Sequence, residues 1–231
     1  MLLAAVSDLH LGQPFNLRAW RGFLAYLRTV RPELLLLLGD VLELAWFSRK
    51  ELEAQELFRE SLDELRGFAA SIETLYFPGN HDPRKKIDPQ MVAPVHLLPF
   101  RPDMPEATEF DGVLYTHGSQ FDAGTHLWDA LLKFPLKAVF PCVYLKLYGT
   151  PYEVKSAQKE QDYREYVGWI MGRAMMEAIR QGRDVVFGHT HAPMTLDLGG
   201  RLIVNSGDLR DSWSYVLARD GRLELKFWRP A

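Results

Sequence analysis

Residues 74–83, TLYFPGNHDP, run from a β-branched and aromatic stretch straight into a Pro-Gly-Asn turn, then set an amide, an imidazole and a carboxylate side by side. Alone, such a loop is most often hydrated surface. The rest of the chain repeats the pattern. Short apolar runs end in SDLH (7–10), GD (39–40), THG (116–118) and GHTH (188–191), so Asp8, His10, Asp40, Asn80, His81, His117, His189 and His191 each follow a strand-like segment. Five of the seven histidines close such runs.

Working outward, strand character recurs at 2–7, 34–38, 74–77, 113–116, 184–187, 202–205, 214–218 and 223–228, and several of these runs are apolar throughout, as in strands covered on both faces. Helices are predicted at 16–30, opening after Asn16, and at 49–66, where Leu52, Leu57, Leu62 and Leu65 sit among charges. Strands alternating with helices, followed by strands joined through tight turns such as RDGR, predict a mixed α/β sandwich with helices outside. From 121 to 183 the rhythm becomes helical, with Tyr163, Val167, Ile170, Ala174 and Ala178 on one face, and the segment reads as a helical insertion in a single domain spanning 1–231.

With 231 residues, 47% of them apolar, the chain can bury a large core. A net charge of −3 gives no basic excess for binding a phosphate backbone, so no nucleic-acid partner is expected. The lone cysteine, Cys142, lies among apolar neighbours and reads as an inert buried thiol in a reducing, cytoplasmic setting. The opening MLLAAVSDLHLG lacks a basic leader and reads as a first core strand. The apolar stretch 127–149 is broken by Lys133, Lys137, Lys146 and two prolines, so it is not a transmembrane span.

Polar residues gathered at strand C-termini mark the usual location of an α/β active site. Oxygen and nitrogen donors without sulfur, gathered at these ends, suit two hard or borderline divalent cations. In DLH and HTH the donors stand one residue apart, so in an extended segment both project to the same side. Asp40, with two carboxylate oxygens, is the natural bridge between two ions.

The series Asp8-x-His10, Gly39-Asp40, Gly79-Asn80-His81-Asp82, His117-Gly118 and Gly188-His189-Thr190-His191 resembles the calcineurin-like metallophosphoesterase superfamily, in order and across about the whole chain. That resemblance implies a four-layer αββα sandwich and two metals, one held by Asp8, His10, Asp40 and His191, the other by Asp40, Asn80, His117 and His189. It further implies in-line attack on phosphorus by a metal-bridging hydroxide. His81 would face the substrate to stabilise phosphoryl oxygens or protonate the leaving group, and Asp82 would orient its imidazole. Manganese is the expected metal; magnesium, iron and zinc also suit the donors.

Glu43 stands where a purple acid phosphatase would need a tyrosine. The runs GDVLELAW (39–46) and VNSGDLRDSWSYVLARDGRLELKFW (204–228) are similar instead to the branch of UDP-2,3-diacylglucosamine pyrophosphatases, which cleave a pyrophosphate in a lipid-linked nucleotide. On that reading the apolar insertion is a lid that shelters acyl chains and touches the inner membrane face, or one that only packs on the core. Arg84, Asp122 and Trp213 are candidate substrate contacts, with Trp213 stacking on a base or sugar and Arg210 and Asp211 beside it. The alternative is a general soluble phosphodiesterase, cyclic-nucleotide or nuclease-like, which His81 suits because the lipid enzymes carry arginine there.

Overall fold

The computed structural model describes residues 1–98, 107–122 and 157–230. Cys142 and the lysines of the apolar stretch, with the rest of 123–156, lie outside the described residues.

Eleven strands among the described residues form two sheets. The first has the order β11-β10-β1-β2-β3-β4, built from β1 (Leu2–Val6), β2 (Leu34–Leu38), β3 (Glu73–Phe77), β4 (His96–Leu97), β10 (Ser214–Arg219) and β11 (Arg222–Phe227). The second has the order β5-β6-β7-β9-β8, from β5 (Ala107–Phe110), β6 (Val113–Thr116), β7 (Asp184–Phe187), β8 (Met194–Asp197) and β9 (Leu202–Asn205). Strands β1 to β4 run parallel, and so do β6, β7 and β9. The C-terminal ends within each parallel set therefore open on one side.

Period-2 alternation divides the side chains between layers. In β1 and β2, Leu3, Ala5, Leu34, Leu36 and Leu38 face the second sheet, where they meet Val113, Tyr115, Val186 and Val204. The alternate residues Ala4, Val6, Leu35 and Leu37 face helices α1 (Leu17–Val30) and α3 (Glu56–Ala69), packing with Trp20, Phe23, Leu24, Phe58 and Leu62. On the far side, Leu114, Val185, Phe187 and Ile203 pack with Val167, Ile170, Met171, Ala174 and Ala178 of helix α5, the fifth α-helix in chain order (Ala157–Gln181) among the described residues; a four-residue α4 (Pro89–Val92) precedes it. The result is helix, sheet, sheet, helix. Burying each such leucine contributes roughly 1.5–3 kcal/mol.

Two expectations need refinement. The helix expected at 49–66 is two helices, α2 (Arg49–Ala54) and α3, because Gln55 is extended at φ −82°, ψ 123°. Ser48 and Glu51 start α2 with a reciprocal capping box. The break changes the phase of the chain, so Phe58, Leu62 and Leu65 form the buried stripe while Leu57 is exposed. Of the helical segment expected at 121–183, Phe121 and Asp122 close a 3-10 helix (Ser119–Asp122) and α5 supplies the outer layer of the sandwich. Helix α1 starts at Asn16, whose side chain accepts from the Ala19 N–H at 3.0 Å. The sequence pattern missed β4, β5 and β8; each lies at a sheet edge, where a short strand that is partly exposed, or in β8 exposed throughout, carries little apolar signal.

Candidate metal centre

Hydrogen bonds tie the loops leaving β1, β2, β3, β6 and β7 into one floor, backbone to backbone between β1 and β2 and between β6 and β7, and through the carboxylates of Asp8, Asp40 and Asp82 elsewhere. Asp8 N–H donates to Gly39 O (3.1 Å), His10 N–H to Asp40 O (2.9 Å) and Gly188 N–H to His117 O (2.9 Å). Asp8, His10, Asp40, His189 and His191 all have positive φ, from 49° to 71°, a region costly for residues with a Cβ and concentrated at functional sites. The convergence expected of extended DLH and HTH segments is thus reached through left-handed residues instead. Two glycines make the approach possible. A Cβ on Gly79 would fall 2.2 Å from Asp40 Oδ1, and one on Gly188 would fall 2.1 Å from Ser7 Oγ and 2.5 Å from Asp8 Oδ2.

Each aspartate uses one oxygen to brace the backbone and turns the other inward. Asp40 Oδ1 accepts from His81 N–H at 2.8 Å, while Oδ2 lies 3.2 Å from His117 Nε2 and 3.9 Å from His10 Nε2. Asp8 Oδ2 accepts from His189 N–H at 2.9 Å across the sheet interface. Asp8 Oδ1 is buried without a hydrogen bond, 3.4 Å from His191 Nε2 and 3.8 Å from His10 Nε2. Asn80 Oδ1 lies 3.0 Å from His117 Nε2. Potential ligand atoms within 4.8 Å of one another occur in Asp8, His10 and His191; in Asp40, His117 and His189; and in His10, Asp40 and His81.

The remote imidazole nitrogens are held from behind. His10 Nδ1 meets Glu43 Oε2 at 2.8 Å, His117 Nδ1 donates to Leu38 O at 2.7 Å, and His191 Nδ1 lies 3.3 Å from Asp208 Oδ2. Such partners orient a ring and fix its tautomer. His189 is turned the other way: its Nε2 lies 3.0 Å from Tyr166 Oη and 3.4 Å from Asp122 Oδ2. Asp208 Oδ1 accepts from the N–H groups of Arg210, Asp211 and Ser212, which keeps its other oxygen on His191.

Burial opposes a charged His10, but the carboxylates of Asp8 and Glu43 outweigh it and raise its pKa to about 10. His117 rises to about 9 in the same way, through Asp40. Burial would raise Asp8 and Glu43, yet the surrounding histidines bring both down to about 2 and hold Asp40 well below the usual carboxylate range. Burial lowers His189, favouring the neutral ring. Ionised carboxylates against imidazoles, a bare buried oxygen on Asp8 and ligand groups without sulfur among the described residues fit divalent cations.

Several expected contacts lie elsewhere. Asp82 does not orient His81. Its buried carboxylate accepts from the N–H groups of Asp40 (3.1 Å), Val41 (2.6 Å), Leu42 (3.1 Å) and Gly79 (2.5 Å) and from the Tyr76 hydroxyl, tying the β2 and β3 loops together. The partner of His81 is Glu43, with Nδ1 to Oε1 at 2.6 Å. Trp213 is 6% exposed and packs against Phe15, Phe23 and Trp228 in the helix-side core. The Arg84 guanidinium donates to Leu98 O. Arg210 donates to Gln13 Oε1 at 2.7 Å, and Gln13 in turn donates to Glu43. Asp122 is buried against His189.

The supporting roles of Glu43, Asp208 and Tyr166 were not read from the sequence. Only Glu43 carried a signal, as a lone acid inside the apolar run VLELAW.

The calcineurin-like phosphoesterase family model matches residues 1–193. No curated protein matches the sequence. Similar solved structures include a novel archaeal phosphodiesterase at 13% identity and TM-score 0.47, covering 99% of this chain and 100% of that one. A protein of Thermus thermophilus, TT1561, is similar at 14% identity and TM-score 0.45, covering 98% of each chain. A single mutant of Vps29 from Entamoeba histolytica is similar at 14% identity and TM-score 0.44, covering 99% and 100%.

Proposed function

The chain belongs to the calcineurin-like phosphoesterase family, and from that premise we propose that it is a binuclear metal-dependent phosphoesterase acting on a phosphodiester or pyrophosphate bond. The observation that carries the reading is Asp40 Oδ2, set between His117 Nε2 and His10 Nε2, so that two groups of ligands share one carboxylate. Asp8, His10, Asp40 and His191 would hold one cation; Asp40, Asn80, His117 and His189 the other. Bound divalent cations supply Lewis acidity toward the phosphoryl oxygens and lower the pKa of water.

The chain's own part is positioning and proton handling. Glu43 grips His81 at Nδ1, so the doubly protonated ring would present Nε2–H to a phosphoryl oxygen or to the leaving group, a contribution typically worth about 10²–10⁴-fold. The side chain of His81 is 19% exposed, so a substrate can reach it. The hydrogen bonds that tie the five loops, backbone to backbone and through the Asp8 and Asp40 carboxylates, keep the donors fixed while the substrate changes charge.

For the substrate, the reading is a pyrophosphate linking a nucleotide to a lipid, as in UDP-2,3-diacylglucosamine. Support comes from the runs 39–46 and 204–228 and from the apolar, lysine-bearing stretch 127–149, which suits acyl chains and a peripheral contact with an anionic membrane face. No helix of the described residues is long and apolar enough to cross a membrane. A small soluble phosphodiester is the second reading, favoured by His81 in place of arginine.

The test is turnover by metal-stripped protein reloaded with Mn²⁺, on bis-p-nitrophenyl phosphate and on UDP-2,3-diacylglucosamine. Asp40→Ala and His81→Ala should each lose activity by orders of magnitude with the fold intact; full activity in the double variant overturns the reading. Preference for the lipid nucleotide with release of UMP supports the pyrophosphatase assignment, and activity on the small diester alone replaces it with the second reading.

A further inference from the structure

Helix α5 reaches the metal centre at two points one helical turn apart. Tyr163 Oη donates to Thr190 O, and Tyr166 Oη donates to Asp122 Oδ2 at 3.0 Å while lying 3.0 Å from His189 Nε2. Asp122 comes from the 3-10 turn after β6, and 44 residues separate it from Tyr166. Neither residue belongs to the strand-end motifs.

Proton counting decides the state of His189. A tyrosine hydroxyl has one proton, and here the carboxylate of Asp122 takes it. The contact between Tyr166 Oη and His189 Nε2 is then a hydrogen bond only if Nε2 carries a proton and donates to the phenol oxygen. Asp122 Oδ2, 3.4 Å from the same nitrogen, favours that proton too. In a neutral ring, Nδ1 is left as the lone-pair nitrogen. The other three histidines have the opposite arrangement, with Nδ1 held at Glu43, Leu38 O or Asp208 and Nε2 turned inward.

We infer that Asp122 and Tyr166 are a positioning pair that fixes His189 as its Nε2–H tautomer and presents Nδ1 to the metal centre. The inference rests on the reading of His189 as a metal-holding residue. Its physical basis is that partners of a ligating imidazole set its orientation and basicity, and that losing one typically costs about 10–100-fold in metal affinity. It makes the outer helix layer part of the centre's support.

The experiment uses full-length protein labelled with ¹⁵N-histidine, stripped of metal at about pH 8, with His189 assigned through the signal lost in His189→Gln. Long-range ¹H–¹⁵N spectra of the parent should show His189 protonated at Nε2; Asp122→Asn and Tyr166→Phe should shift it toward the Nδ1–H form. Calorimetric titration with Mn²⁺ should show one binding step weakened about 10–100-fold in Asp122→Asn. Tyr166→Phe keeps the ring and so guards against a packing defect. An Nδ1–H parent overturns the inference, as do two variants that keep the parent's tautomer and Mn²⁺ affinity. A parent that binds no Mn²⁺ while showing the Nε2–H tautomer overturns instead the metal reading.

Discussion

His81 Nδ1 and Glu43 Oε1 stand 2.6 Å apart although 38 residues separate them in the chain. The same carboxylate reaches His10 Nδ1 through Oε2 at 2.8 Å, so one buried acid braces both the proposed proton donor and a proposed metal ligand. Glu43→Gln should therefore lower kcat about 10–100-fold and also weaken Mn²⁺ binding. Steady-state kinetics with calorimetry on the same preparation reads both, and a variant that loses neither refutes the shared role.

Asp82 acts on the backbone. Replacing its carboxylate in Asp82→Ala strands four buried or half-buried N–H groups and the Tyr76 hydroxyl, at about 1–3 kcal/mol for each donor left unpaired. Urea denaturation should show a loss of several kcal/mol of stability, larger than for Glu43→Gln. A stable Asp82→Ala with activity lost would return Asp82 to the chemistry.

In metal-stripped protein the histidines and carboxylates of the centre pair with one another. His10 moves from 6.5 unfolded to about 10 folded and His117 to about 9, so their stabilisation is complete below about pH 6.5 and is lost as pH rises through 9 to 10. Asp8 and Glu43 move from 3.8 and 4.5 down to about 2, so theirs is present above about 4.5 and lost as pH falls through 2. The stripped protein should melt highest between about pH 4.5 and 6.5. A cation must displace the protons on His10 and His117, so Mn²⁺ binding should tighten with pH and release protons. Titrations in two buffers of different ionisation enthalpy measure that release; none at pH 7 contradicts the account.

Trp213 is a core residue. Trp213→Ala should cost about 3–5 kcal/mol of stability while leaving KM of the folded fraction unchanged. A raised KM at unchanged melting temperature would restore the stacking role.

What the sequence determined by itself is local: the eight strands with a clear apolar signal, where α1 begins, and that aspartate, asparagine and histidine close the apolar runs. These signals lie within a few adjacent residues, where alternation and turn chemistry act. What only the tertiary structure decided is who stands behind each ligand. Next to His81 in the chain, Asp82 looks like its natural partner, yet the turn after β3 sends that carboxylate to backbone N–H groups of the β2 loop, and the same loop supplies Glu43 as the partner of His81. Asp122 and Tyr166 meet only because α5 folds across the second sheet, and Trp213 is core only because Phe15, Phe23 and Trp228 surround it. Long-range packing chooses these partners, and no local pattern encodes a contact such as that of Tyr166 with Asp122, made across 44 residues of chain.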